Sequence, residues 1–383
     1  MVTFRFLIFS QWVKDFNPLS PIGLILISIL YFLSIYSIKI YPAIRGSGVP
    51  QTKAYLNGII KFNWKIEMPL KLFFISALNL IGLSIGSAGP AIQIGGYIGT
   101  IFNTKEDKKN TIFSGVSALG AFLGAPVTGI LLAYEEFDSR FNIIDFLKLI
   151  LMVGASYLVK VFIFGTTPLF NLYFDYTKFK VGNIILPTLF IIIFSIILGK
   201  LFRKFILNFG RIYKNDFLKI IPFLLLFPIL YYLPVIKGGG AIVVNSIISD
   251  INKYGFLFLA TLLIIKYLYT LLCATTSIPA GLIMPTISLG ALIGATIWSF
   301  FNINVIYLNF CIILGISVYF YVVMGLRFSS AILACEISGM YFLIPFLVLI
   351  NFIISKFMQN RYSKRLSDLL YNKLIDKDKE NDF

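Results

Sequence analysis

The stretch GSAGPAIQIGG, Gly86 to Gly96, carries no charged residue, and its glycines and proline interrupt a run whose flanks are apolar. A phosphate-binding loop is excluded, because the glycine spacing and the lysine such a loop needs are absent. What remains is a helix that starts within an apolar environment. The rest of the chain identifies that environment.

Of 383 residues, 58% are hydrophobic, 16% aromatic and only 13% charged, far outside the range of soluble domains. The chain therefore reads as an all-α integral membrane protein. Crossing a hydrocarbon core takes roughly 20 apolar residues. Candidate runs are Ile22 to Ile38, Ile112 to Tyr134, Ile143 to Phe164, Val181 to Leu198, Phe256 to Cys273, Ile278 to Phe301, Val305 to Met324 and Tyr341 to Ile354. Several fall short of a full span, which predicts a bundle of about a dozen or more helices, many tilted or stopping partway.

The net charge of +16 resides in connections such as NTKEDKKN, GKLFRKF and NRYSKRL, which favours attraction to the membrane surface over nucleic acid. Basic clusters follow both odd and even spans, so the charge pattern assigns no orientation. Cys273, Cys311 and Cys335 lie in or beside apolar segments without metal-binding spacing and read as small buried hydrophobes. With no histidine in the chain, zinc and haem lose their commonest ligand, and neither a metal nor an organic cofactor is expected. No nucleophile has a base beside it and the acids form no dyad, so no enzyme activity is expected. No cleavable signal is expected at the N-terminus, and the charged tail after Tyr362 is expected to be a short solvated helix with no soluble regulatory domain after it.

An internal repeat organises the sequence. Aligning Pro90 with Pro285 sets PAIQIGGYIG against PTISLGALIG, matching Ile92 with Ile287, Gly95 with Gly290, Ile98 with Ile293 and Gly99 with Gly294. Farther on, LLAYE ending at Glu135 lies opposite ILACE ending at Glu336. Small residues that permit close helix packing offer a second explanation of the match. Paired halves commonly place a transport site where their broken helices meet. A helix start inside the membrane presents free N–H groups and partial positive charge, hence an anion site. Gly89 and Pro90, the AGLIMP segment from Ala280 to Pro285, and GSGVP from Gly46 to Pro50 are three such starts, the last with a hydroxyl at Ser47.

GSGVP at Gly46, GSAGPAIQIGG at Gly86, GAPVTGILLAYEEF at Gly124, SIPAGLIMPTISLG at Ser277 and the late QNRYSKRL together resemble the CLC family of chloride channels and chloride/proton antiporters, in order and approximate spacing. The likeness is to prokaryotic members without a soluble regulatory domain. It implies a CLC-type bundle of tilted and partial helices in two inverted-topology halves. It further implies a homodimer in the cell membrane, surrounded by lipid bilayer, with one chloride pathway per subunit. The first half is expected over residues 1–200, the second over 201–358, and a C-terminal ion-path segment with a charged tail over 359–383. Before GSGVP the chain offers only FRFLIFSQWV and one full span, about two helices fewer than the family usually has.

By the resemblance, Ser47 and Tyr362 supply hydroxyls to bound chloride, and Leu282 and Ile283 supply backbone N–H groups. Taken alone, Ser47 also fits a helix cap, Tyr362 an interfacial anchor, and Leu282 and Ile283 ordinary buried apolar residues. Neutral donors suit an ion that must bind and then leave. Lys71 matches a family lysine that raises the local potential, and also fits a lysine reaching the interface. Glu136 matches a proton-transfer glutamate and Glu135 its structural neighbour, although a pair of acids at a helix end also fits a solvated surface.

Three departures bear on mechanism. Ser87 and Ala88 stand where the family commonly has Arg-Glu, so the gate position is alanine. Gln51 and Asn57 stand where acids are common. Three readings follow: a passive chloride pathway, a chloride/proton antiporter with another proton route, and a non-transporting paralogue. Fluoride is a lesser alternative substrate.

Overall fold

The computed structural model describes residues 17, 19–104, 107–137, 140–170, 172, 180–209, 220, 224, 228, 230–250, 254–276, 278–358 and 362–381. FRFLIFSQWV, Ser277 and the residues Gln359, Asn360 and Arg361 of the late motif lie outside them. Among the described residues the secondary structure is helical, apart from an isolated antiparallel bridge between Gly86 and Gly281.

Helix α1, Pro21–Ile40, starts on Ser20, whose hydroxyl accepts the Gly23 N–H at 2.9 Å, with Pro21 in the first turn. A short 3-10 turn, Pro42–Ile44, leads to α2, Val49–Leu56. There follow α3 Trp64–Leu80, α4 Ala88–Thr100, α5 Lys109–Leu123, α6 Pro126–Glu135 and α7 Ile143–Phe164. Helix α8, Ile185–Phe209, precedes a second series: α9 Ala241–Asp250, α10 Phe256–Thr275, α11 Ile283–Phe300, α12 Leu308–Met324, α13 Arg327–Ser338 and α14 Ile344–Phe357. Helix α15, Leu366–Asn381, ends the described chain.

Among the described residues six helices are long and apolar enough to span a membrane, in keeping with a multi-pass integral membrane protein. The run from Ile112 to Tyr134 is corrected from one span to two helices. Gly124 closes α5 in the left-handed region (φ +70°) and Pro126 opens α6, so a segment of uniform hydropathy turns back on itself. The run from Ile278 likewise becomes helical only at Ile283.

The two series repeat. Helices α2 to α7 and α9 to α14 follow in the same order, each set led by a 3-10 turn, and α4 and α11 begin on residues that align when Pro90 is set against Pro285. Contacts between the halves are reciprocal, as a pseudo-two-fold relation requires. The Gly86 N–H donates to Gly281 O at 2.8 Å and the Gly281 N–H to Gly86 O at 2.9 Å. A Cβ on Gly86 would lie 2.9 Å from the Pro285 ring, and one on Gly281 would lie 2.6 Å from the Pro90 ring. The repeated glycines also serve packing: a Cβ at Gly290 would lie 2.6 Å from Gly315 O, and one at Gly95 would strike Ser114 O. The repeat and close packing thus coincide at the same positions. Residue 200, the expected end of the first half, falls inside α8.

Helices α11 and α12 form the centre, with 83% of each apolar window buried, whereas α7 buries only 11% of its window and turns its apolar surface outward. All three cysteines are free and buried, as expected.

Candidate functional site

A small cavity of about 50 Å³ lies where several helix ends meet. Ser47 reaches it from the turn before α2, Val49 from the first residue of α2, Gly89 from α4, Thr128 and Glu136 from the two ends of α6, and Leu282 and Ile283 from the start of α11. Ser329 of α13 and Ser367 of α15 add hydroxyls to the wall, and Ile92, Leu119, Phe320, Met324, Leu366 and Leu370 contribute apolar surface.

The turn bearing Ser47 is shaped by Gly46 (φ +61°) and Gly48 (φ +91°), conformations that side chains resist. It is tied to the loop before α11: Gly46 N–H donates to Ile278 O and Ala280 N–H to Gly46 O, both at 3.2 Å. Gly48, not Ser47, is the N-cap residue of α2, and Gln51 Oε1 accepts the Gly48 N–H at 3.1 Å. The capping alternative for Ser47 is therefore set aside, and Ser47 is among the residues that line the cavity. Gln51, at a position where acids are common, is occupied in bracing that turn.

The first N–H groups of a helix have no intrahelical acceptor. At α11 these include Leu282 and Ile283, and none of the loop or cap hydrogen bonds among the described residues uses either as donor. Helix α4 presents the equivalent start, with Ala88 fully buried behind Gly89. Two other starts are closed. At α6, Glu336 accepts the N–H groups of Val127 (2.9 Å) and Thr128 (2.7 Å) and the Thr128 hydroxyl (2.6 Å). At α13, Glu135 accepts the N–H groups of Phe328 (2.9 Å) and Ser329 (2.7 Å). Each glutamate comes from the end of the other's helix, so the aligned pair in the repeat is a reciprocal cap.

Lys71 is fully buried and does not reach the interface. Its Nζ donates to Gly46 O at 3.3 Å and to Gln93 Oε1, one layer behind Ser47. Sequence reasoning missed its repeat partner Lys266, equally buried, whose Nζ donates to Ile236 O at 2.8 Å and Gly238 O at 2.6 Å in the turn before α9. Aligning Pro90 with Pro285 would have paired the two lysines.

Glu136 is buried, so the solvated-surface reading fails. Its Oε1 lies 2.7 Å from Lys53 Nζ and accepts the Ser367 hydroxyl. Asn57 donates to the Tyr371 hydroxyl at 2.8 Å, outside the cavity lining. Tyr362 is not brought to the cavity. Its ring lies 5.4 Å from Lys200 Nζ and 5.8 Å from the Arg203 guanidinium, and its carbonyl accepts from Arg203 at 3.1 Å. Arg203 also binds Lys364 O at 2.5 Å, which holds the turn into α15 so that Leu366, Ser367 and Leu370 face the cavity instead. The tail helix is thus part of the wall rather than a solvated appendage.

The lining is mostly apolar with a few convergent neutral donors, a composition suited to a small desolvated ion. Among the described residues no cluster of metal-binding side chains occurs.

Comparison with known proteins agrees with this architecture. The family described as voltage gated chloride channel matches residues 28–360. The H(+)/Cl(-) exchange transporter ClcA of Vibrio parahaemolyticus is 26% identical over 313 residues, covering 74% of this chain and 65% of the relative. The chain therefore spans about two thirds of that relative's length. An uncharacterized protein of Methanocaldococcus jannaschii is 27% identical over 333 residues, covering 84% and 82%. In fold, the structure is similar to that of a slow cyanobacterial Cl-/H+ antiporter (TM-score 0.81, 20% identity, 98% and 93% covered). It is also similar to a CLC-type fluoride/proton antiporter (TM-score 0.72, 17% identity, 94% and 92% covered).

Proposed function

The chain belongs to the voltage gated chloride channel family, and from that premise we propose that it carries chloride and similar small anions passively across the cell membrane, down their gradient. One observation carries the reading: Ser47, the open start of α11 at Leu282 and Ile283, and Gly89 at the open start of α4 border one cavity, while the side chain at the gate position, Ala88, is a methyl group. Amides and a hydroxyl hold an anion without trapping it as a full positive charge would. A methyl group neither competes for those amides nor carries a proton. Lys71 and Lys266, behind the turns before α2 and α9, add positive potential without touching the ion. Tyr362 is left out of this coordination, because its ring is held against Lys200 and Arg203. Two copies are proposed to assemble as a homodimer, on the strength of the family resemblance.

A second reading, chloride/proton exchange by another proton route, draws support from Glu136, a carboxylate on the cavity wall. Purified protein in liposomes separates the two when chloride and proton fluxes are recorded together. The passive reading expects chloride efflux driven by voltage with no accompanying uphill proton movement. Protons driven uphill by a chloride gradient would establish exchange instead, and absence of any anion flux from folded protein would favour a non-transporting paralogue.

A further inference from the structure

Glu136 is the carboxylate that borders the cavity among the residues described as its lining, and it is not left alone there. Lys53, one turn into α2 from Ser47, is 7% exposed, and its Nζ lies 2.7 Å from Glu136 Oε1, 2.6 Å from Asp368 Oδ1 and 2.8 Å from Ser367 Oγ. The Ser367 hydroxyl donates a hydrogen bond to Glu136. Arg365 Nε binds Asp368 Oδ2 at 2.5 Å, and Arg365 NH1 binds Glu135 O at 2.7 Å. The group therefore holds two cations, Lys53 and Arg365, against two carboxylates, Glu136 and Asp368. Glu135, the next acid in the chain, is turned away and occupied at the start of α13. The Phe137 ring lies 6.0 Å from Lys53 Nζ and Tyr371 hydrogen-bonds Asn57, so neither adds a charge to the cluster.

Resting on the anion reading above, we propose that Lys53 is a masking residue: its ammonium neutralises Glu136 on the cavity wall, so that an anion passes a surface that would otherwise repel it. An uncompensated carboxylate on that wall acts on a neighbouring anion through a poorly polarisable interior, where like charges cost most. The geometry also binds the Ser47-bearing end of α2 to α6 and α15, so the mask and the shape of the cavity depend on the same ammonium. A brace alone and a mask make different predictions, because a brace is weakened by removing either partner whereas a mask is not.

The test is chloride binding by calorimetry on the purified full-length protein in detergent, followed by chloride efflux from liposomes read as KM and maximal rate. Lys53→Gln is expected to weaken binding and raise KM about tenfold, the scale of one unit charge acting over roughly 10 Å at an effective dielectric near 20. Glu136→Gln is expected to do the opposite and tighten binding, since Lys53 then faces fewer carboxylates. The double variant should return to within about threefold of the parent, and Lys53→Arg should resemble the parent. If Lys53→Gln fails to fold, the Glu136→Gln result decides: unchanged or weaker binding overturns the mask. Weakening by both single variants with no recovery in the double variant overturns it in favour of a brace. Chloride binding by the parent with no response to Lys53→Gln rejects the mask alone, whereas no chloride binding by the parent rejects the anion reading and the mask together.

Discussion

Among the helix starts that border the cavity, those of α4, α6, α11 and α13 divide into two kinds. The starts of α6 and α13 are filled by the protein's own carboxylates, Glu336 and Glu135, which accept their first N–H groups at 2.7 to 2.9 Å. The starts of α4 and α11, at Ala88 and Ile283, meet no carboxylate among the described residues and open onto Ser47. The same backbone geometry, with partial positive charge at the helix start, thus appears once occupied and once open. The occupied pair shows what the open pair is suited to receive: a single negative charge with good hydrogen-bond acceptance. On the anion reading proposed above, the occupied pair stabilises the bundle and the open pair is left for the ion.

Breaking the occupied pair gives the largest expected effect. Glu336→Ala leaves two buried N–H groups and the Thr128 hydroxyl without their acceptor and is expected to cost about 3 kcal/mol of stability. Glu135→Ala should cost less, about 1 kcal/mol, because Glu135 is only half-buried and water can replace it. Unfolding in mixed detergent measures both. Negligible losses in both variants would show that the caps are incidental and would remove the contrast with α4 and α11.

Converting an open start into an occupied one is the sharper test. Ala88→Glu places a carboxylate at the first helical residue of α4. Chloride flux is expected to fall roughly tenfold above the ordinary glutamate range, where the side chain is ionised and takes the amides. Flux should recover as pH falls through that range and the carboxyl becomes neutral. The parent, with a methyl group, should lack this dependence. Flux in the variant that is unchanged from pH 4 to 8 would show that position 88 does not face the ion path.

How much of this was legible in the sequence depends on the range of each interaction. The start of α4 was marked locally, because glycine and proline punctuate a helix whatever surrounds them. The repeat exposed Glu135 and Glu336 as a pair, yet not their exchange of helix starts, which joins residues about 200 positions apart. The division of Ile112 to Tyr134 into α5 and α6 was concealed because Gly124, Ala125 and Pro126 hardly alter hydropathy across a run of spanning length. That Tyr362 lies outside the cavity lining has a different origin. Arg203 fixes the turn before α15 through backbone carbonyls, which every residue possesses and no motif records. Lys53 was invisible as a site residue, since its partner Asp368 lies 315 positions away and only the packing of α15 on α2 brings them together.

The smallest expected effect concerns that packing and separates the wall of the cavity from its helix starts. Burial alone would raise the Asp368 carboxyl, but Lys53 and Arg365 outweigh burial and hold it below the usual carboxylate range. A carboxyl depressed in the folded state stabilises it above the unfolded value, near 4, and loses that contribution as pH falls through the folded value. Asp368→Asn should therefore lower stability by about 1 kcal/mol at pH 7, a modest figure because the side chain is partly exposed to solvent. The difference between variant and parent should shrink as pH drops below about 4 and disappear where both carry a neutral side chain. Unfolding curves at pH 7, 5 and 3 read the effect directly. A deficit that persists undiminished at pH 3 would mean that Asp368 anchors α15 through neutral hydrogen bonds rather than charge, and the wall at α15 would then owe nothing to the pairing that neutralises Glu136.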